Sequence, residues 1–100
     1  RDDLPDGGAR HFADTILRIR KLSPSTTIEV LTPDFLGEEA SIKIVCDTKP
    51  DVFNHNIETV KRLTPIARNK AKYAMSLSVL KTARKLMGDS GHVKSGMMLG

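Results

Sequence analysis

The sequence predicts an α/β fold built on a parallel sheet. Two observations carry this. Short β-branched runs alternate with longer stretches whose apolar residues recur at helical spacing, and three of the short runs end in polar clusters. The 100 residues hold one modest core. They are fewer than the about 250 of a closed (β/α)₈ barrel.

Taken in order, Gly8 to Leu22 is an amphipathic helix: Phe12, Ile16 and Ile19 repeat with Ala9, Ala13 and Leu17 beside them, and Pro24 ends the run. Thr27 to Thr32 is a strand stopped by Pro33. A second helix spans Glu38 to Thr48 and is expected to bury Ala40, Ile42, Val45 and Cys46. Asp51 to Asn56 is the next strand, with an unusually polar end. A short helix over Glu58 to Leu63 follows. A long one then runs from Ala71 to Met87, with Tyr73, Leu77, Leu80 and Met87 near one face and Gly88 as its stop. His92 to Leu99 forms the last strand. The order α-β-α-β-α-α-β implies parallel strands joined by right-handed crossovers. No repeat or linker divides residues 1–100, so they read as one domain without an internal boundary.

Composition narrows the function classes. With 39% hydrophobic and 28% charged residues and no apolar run of 18 or more, no membrane span is expected. The chain opens without an initiator Met or an apolar leader, and it reads as an internal segment. The single cysteine, Cys46, excludes an intramolecular disulfide and any all-cysteine metal site within the segment, so ligands for such a site lie elsewhere. Histidines 11, 55 and 92 lack metal spacing. Charge is uneven: residues 1–60 carry 7 basic and 11 acidic side chains, whereas residues 61–100 carry 9 basic and 1 acidic. Lys61, Arg62, Arg68, Lys70, Lys72, Lys81, Arg84 and Lys85 are spaced as a solvated helix face and its flanks, with only Tyr73 to stack on a base. This favours an acidic protein partner over nucleic acid.

Parallel α/β sheets bind ligands beyond the carboxyl ends of their strands, and three such ends carry chemistry here. They are Thr32-Pro33-Asp34, Asn54-His55-Asn56 with Glu58, and Lys94-Ser95-Gly96. Alternation puts Val52, Asn54 and Asn56 on one face, and Phe53 and His55 on the other. If Phe53 packs under a helix, Asn54 and Asn56 point to the inside of a barrel, where their amides can bond a polar ligand. They can equally cap the helix that follows. Lys94 shares a face with Gly96 and Met98. An interior lysine there needs an anionic partner or a ligand carboxylate, and the competing reading is a lysine snorkelling to solvent. Gly96 and Gly100, flanking Met97-Met98-Leu99, permit a close backbone approach to a flat ligand. Asp6-Gly7-Gly8 reads as a turn with helix capping, or as an anion cradle.

The strings Arg1-Asp2-Asp3-Leu4-Pro5-Asp6-Gly7-Gly8-Ala9, Glu29-Val30-Leu31-Thr32-Pro33-Asp34-Phe35, Pro50-Asp51-Val52-Phe53-Asn54-His55-Asn56-Ile57-Glu58-Thr59-Val60 and Lys94-Ser95-Gly96-Met97-Met98-Leu99-Gly100, taken together, resemble the lipoyl synthase family of the radical S-adenosylmethionine superfamily. The resemblance runs in order along the whole chain and covers about a third of such an enzyme. It implies part of a parallel (β/α) partial TIM-type barrel, two [4Fe–4S] clusters with ligands outside this segment, and S-adenosylmethionine as cofactor. The implied reaction inserts sulfur at C6 and C8 of a protein-bound octanoyl-lysine, and this segment alone is expected to be inactive. Implied partners are octanoylated carrier domains, such as 2-oxoacid dehydrogenase E2 subunits and the glycine cleavage H protein, and an electron donor such as flavodoxin or ferredoxin. Neither nucleic acid nor membrane is implied, and a bacterial cytoplasmic location is favoured over a mitochondrial one.

Carried onto this chain, the resemblance makes Asn56, Glu58, Gly96, Met98 and Gly100 cofactor-binding residues. Asn54 and Lys94 are expected at the substrate, and no catalytic residue or metal ligand is assigned. The chain departs from the family at Asp34-Phe35-Leu36-Gly37, where members usually read Asp-Phe-Arg-Gly. Two other classes fit the residues: a different barrel enzyme using Lys94 as a Schiff-base amine, and a non-catalytic module that docks carrier proteins through its basic region.

The charge pattern carries its own test. Charges farther than about 8 Å from a contact are screened at physiological salt, so Lys61 and Arg62, just after the strand-end motif, are best placed to steer an acidic carrier. Lys61→Glu with Arg62→Glu is expected to slow carrier association at low salt, measured by stopped flow, with turnover of a short octanoyl-lysyl peptide nearly intact. Equal losses on both substrates would remove the steering role.

Overall fold

The structure, a computed structural model, describes residues 4–57 and 70–97. Among these residues three helices and three strands alternate: α1 (Ala9–Leu22), β1 (Glu29–Leu31), a 3₁₀ turn (Phe35–Gly37), α2 (Glu39–Cys46), β2 (Val52–Asn54), α3 (Lys70–Met87) and β3 (His92–Lys94). The sheet is parallel in the order β1-β2-β3. A sequential order without reversal is what successive same-handed crossovers give, and it sends the connecting helices to one face. The described fold is α/β and compatible with part of a larger β/α architecture.

Packing bears this out. Val30 and Phe53 are buried, Val93 in register with them is partly buried, and all three join a core with Ile16 of α1, Ile42 and Val45 of α2, and Val79 and Ala83 of α3. α2 lies between α1 and α3 and packs against both. On the other face Glu29, Leu31, His92 and Lys94 are exposed among the described residues, and Leu31 is 57% exposed. Parallel sheets are normally covered on both faces, so a bare apolar position such as Leu31 marks a surface made to be covered.

The amino end of the sheet is joined by main chain. Asp51 and Val52 both donate N–H groups to the Ile28 carbonyl, and the Asp51 carboxylate accepts from the Ile28 N–H at 2.7 Å. The His92 N–H donates to the Asp51 carbonyl, and the Arg20 guanidinium reaches the Asp51 carboxylate at 3.6 Å.

Several expectations are corrected. The strands are shorter than their β-branched runs; among the described residues β3 ends at Lys94 rather than continuing toward Leu99, and beyond it the Asn56 side chain takes the Gly96 N–H. On α3 the buried stripe is Ser76, Val79, Ala83 and Met87, while Leu77 is 45% exposed. The stripe is set by where α2 and the sheet sit, and small residues allow that approach. Likewise Leu17 of α1 and Ala40 of α2 are exposed, whereas Ser41 is buried. The 3₁₀ turn at Phe35–Gly37 was not anticipated. There Phe35 and Leu36 take left-handed φ values of 51° and 54°. Asp34 holds the turn by accepting the Leu36 N–H at 2.8 Å, and the buried Phe35 ring stands edge-on to Phe12. The expected helix over residues 58–63 lies outside the described residues.

Cys46 is buried in the core, and burial, with Asp47 adding, pushes its thiol up to about 11 from 9.0. A raised acid favours the folded state while protonated. Its contribution is therefore complete below pH 9 and is lost as pH rises through about 11. Denaturant midpoints measured at pH 8 and pH 11 are expected to fall less in Cys46→Ala than in the parent protein.

Candidate functional site

Leu31, Asn54 and Lys94 stand in register across the three strands, so the strand-end motifs meet along one edge. Backbone bonds continue past the strands. The Thr32 N–H donates to the Asn54 carbonyl at 2.9 Å, His55 N–H to Lys94 at 3.1 Å, and Ile57 N–H to Gly96 at 3.1 Å. These keep the β2 and β3 extensions side by side, which lets side chains act between them.

Asn54 lies on the face away from the helices, the face expected for the inside of a barrel. It is 8% exposed, and its side-chain Oδ1 has no hydrogen-bond partner. A buried acceptor left unpaired costs about 1–3 kcal/mol, so its retention calls for a donor from outside these residues.

Asn56 is engaged with the neighbouring strand end: its Oδ1 accepts the Gly96 N–H at 3.0 Å. A Cβ at position 96 would stand 2.9 Å from that oxygen. Gly96 is thus glycine because Asn56 approaches its backbone, a reason independent of any flat ligand. Ser95 Oγ adds to the seam by accepting from the Ile57 N–H at 3.2 Å.

Lys94 is exposed, as the solvent-reaching reading has it, and it pairs with an anion. Its Nζ lies 3.3 Å from Glu29 on the same face, with both side chains about half exposed. Such an exposed pair contributes at most about 1 kcal/mol, so a ligand carboxylate can compete for the ammonium at small cost.

His55 occupies the helix-facing side with Phe53, as parity predicts, and it is buried there beneath α3. Its Nδ1 is 2.9 Å from the Thr32 carbonyl oxygen and its Nε2 is 2.9 Å from Ser76 Oγ. A carbonyl only accepts, so Nδ1 is a donor, and in the neutral ring Nε2 then accepts from the Ser76 hydroxyl. Sequence reasoning missed Ser76. Its signal was the spacing of Ser76, Val79 and Ala83 at i, i+3 and i+7, which puts a hydroxyl on the buried face of α3.

At the amino-terminal loop, the Asp6 carboxylate accepts the Gly8 and Arg10 N–H groups, each at 2.9 Å. These bonds, Arg10 first, hold its pKa below the ordinary carboxylate value, and Asp6-Gly7-Gly8 works as a helix-capping turn. Glu58, Met98, Gly100, Lys61 and Arg62 lie outside the described residues. Among the described residues no three His, Cys, Asp or Glu side chains cluster to hold a metal ion, and no helix is long and apolar enough to cross a membrane.

Comparison with known proteins follows the strand-end strings. The chain is 55% identical over all 100 of its residues to the lipoyl synthase of Caldicellulosiruptor saccharolyticus. The resemblance to lipoyl synthase holds along the whole chain. The chain spans 35% of that lipoyl synthase's length. No family model matches.

Two glycines at opposite ends of the sheet give contrasting expectations. A Cβ at Gly91 would meet the Asp51 and Pro50 carbonyl oxygens at 2.8 and 2.9 Å, and main chain cannot step aside. Gly91→Ala is therefore expected to destabilise the fold by about 1–3 kcal/mol in urea unfolding. Gly96→Ala meets a side-chain amide that can rotate away. It is expected to cost less stability while displacing Asn56, which two-dimensional NMR of the Asn side-chain amides reports.

Proposed function

We propose that this chain is part of a lipoyl synthase, contributing strands and helices to a partial radical S-adenosylmethionine barrel that inserts sulfur at C6 and C8 of a protein-bound octanoyl-lysine. The observation that carries this reading is 55% identity sustained over every residue of the chain. The sheet supports it: sequential parallel strands, helices on one face, and polar residues gathered at the carboxyl ends of the strands. The alternatives have less behind them. Lys94 is ion-paired and about half exposed, without the desolvated setting that activates a Schiff-base lysine. A docking module has no use for a buried, unpartnered side-chain oxygen such as Asn54 Oδ1.

On this reading the two [4Fe–4S] clusters are held by cysteines elsewhere in the protein, since Cys46 is alone and buried. When bound, the clusters and S-adenosylmethionine supply the radical and the sulfur. This segment's residues bind and orient. Asn54 offers an acceptor to an N–H or O–H donor, Asn56, Glu58, Gly96, Met98 and Gly100 serve the nucleotide, and Lys94 serves a substrate carbonyl or carboxylate. Octanoylated carrier domains are the substrates, a flavodoxin or ferredoxin is the electron donor, and the bacterial cytoplasm is the location.

The test uses the complete, cluster-loaded protein. It is expected to convert an octanoyl-lysyl peptide to the lipoyl product, read by mass spectrometry. Glu58→Ala and Asn56→Ala are each expected to weaken S-adenosylmethionine binding about tenfold in calorimetry, the loss of one strong hydrogen bond. No conversion by a protein with intact clusters would overturn the enzyme reading. Unchanged affinity in both variants would leave Asn56 and Glu58 with a purely structural role.

A further inference from the structure

Three elements meet at one buried imidazole. His55 is 3% exposed, Thr32 5% and Ser76 0%, and the ring links the end of β1 to α3 through two 2.9 Å hydrogen bonds. Both ring nitrogens are paired, so the ring cannot turn over without breaking both bonds. Its neighbours in sequence, Asn54 and Asn56, have the opposite parity. Whatever fixes the His55 side chain therefore fixes the direction in which those two amides leave the backbone.

The main chain at this point is tied toward both neighbouring strands. β2 ends at Asn54, and beyond it the backbone of residues 55–57 is tied to the β3 side by the His55 and Ile57 N–H groups. On the β1 side the last ladder bond is the Thr32 N–H to the Asn54 carbonyl, which the Thr32 hydroxyl reaches at only 3.4 Å. The imidazole supplies the next tie toward β1 and, by way of Ser76, a tie from this strand end to α3.

We propose that His55 is a positioning residue: through Thr32 and Ser76 it sets the orientation of Asn54 and Asn56 toward a ligand on the other face of the sheet. This rests on the reading of the strand ends as the nucleotide site. The role is distinct from filling the core. The imidazole and the Ser76 hydroxyl act by hydrogen bonds of fixed direction, whereas Val79, three residues along the same buried stripe, acts by volume alone.

The experiment measures S-adenosylmethionine affinity by calorimetry and melting temperature together, in the complete protein. His55→Asn keeps a donor near the Nδ1 position for Thr32 and loses the Ser76 arm. Ser76→Ala removes that arm from the other side. Both are expected to weaken affinity about tenfold, and the double variant no more than either alone, because they cut the same link. Val79→Ala is the comparison, expected to lower the melting temperature at least as much while leaving affinity within twofold. His55→Gln, whose longer amide reaches toward Ser76, is expected to recover part of the affinity lost in His55→Asn. If the His55 and Ser76 variants lose stability like Val79→Ala but bind normally, while Asn56→Ala binds poorly, His55 is structural and the proposal falls alone. If Asn56→Ala and Glu58→Ala also bind normally, the nucleotide-site reading falls and takes the proposal with it.

Discussion

Phe53 sits at the middle of the central strand with no exposed surface, and its burial decides the direction of every other side chain at the candidate site. A strand side chain has two choices of face, and a fully buried aromatic fixes which is which. With Phe53 under the helices, Asn54 must leave on the opposite side and His55 must return beneath α3. A slip of one residue would bury two asparagine amides in an apolar core and expose Phe53. Each buried amide would then need partners that Ile42, Val45 and Val79 cannot supply. The hydrophobic effect therefore sets the geometry of a polar site that it does not itself touch.

The two ends of the sheet are held by different chemistry. At the amino end, contacts run between main-chain groups around Ile28, Pro50 and Asp51, and Gly91 is pressed against carbonyl oxygens. At the carboxyl end main-chain bonds continue, and the side chains of His55, Asn56, Ser76 and Ser95 add to them. Main-chain seams tolerate little movement. Side-chain seams aim particular donors and acceptors, which suits the end of a β/α sheet where ligands bind.

The turn after β1 belongs to the same end. Left-handed φ at Phe35 and Leu36 costs about 1–2 kcal/mol per residue, offset here by the Asp34 carboxylate cap and by the Phe12–Phe35 ring contact. The result places Leu36 outward, 69% exposed. A buried neighbour on one side and an outward side chain on the other follow from the same strained turn. The backbone shape there is set by Asp34 and Phe35 and does not require a charge at position 36.

By itself the sequence determined the alternation of helices and strands, the parallel sheet, and the parity that separates Asn54 from His55. These are local properties, written in apolar spacing and β-branching within a few residues of one another. It also determined the family resemblance, which the 55% identity confirms. Only the tertiary structure decided which stripe of α3 is buried, that Asn56 is held by Gly96, that Lys94 pairs with Glu29, and that His55 reaches Ser76. Each of these joins residues distant in sequence, 40, 65 and 21 positions apart in the three pairs. Their meeting depends on helix rotation and strand register, which are settled when the whole core packs. Leu77 shows the limit well: helical spacing made it a core candidate, and the position of α2 against α3 turned it to solvent and gave its place inside to Ser76.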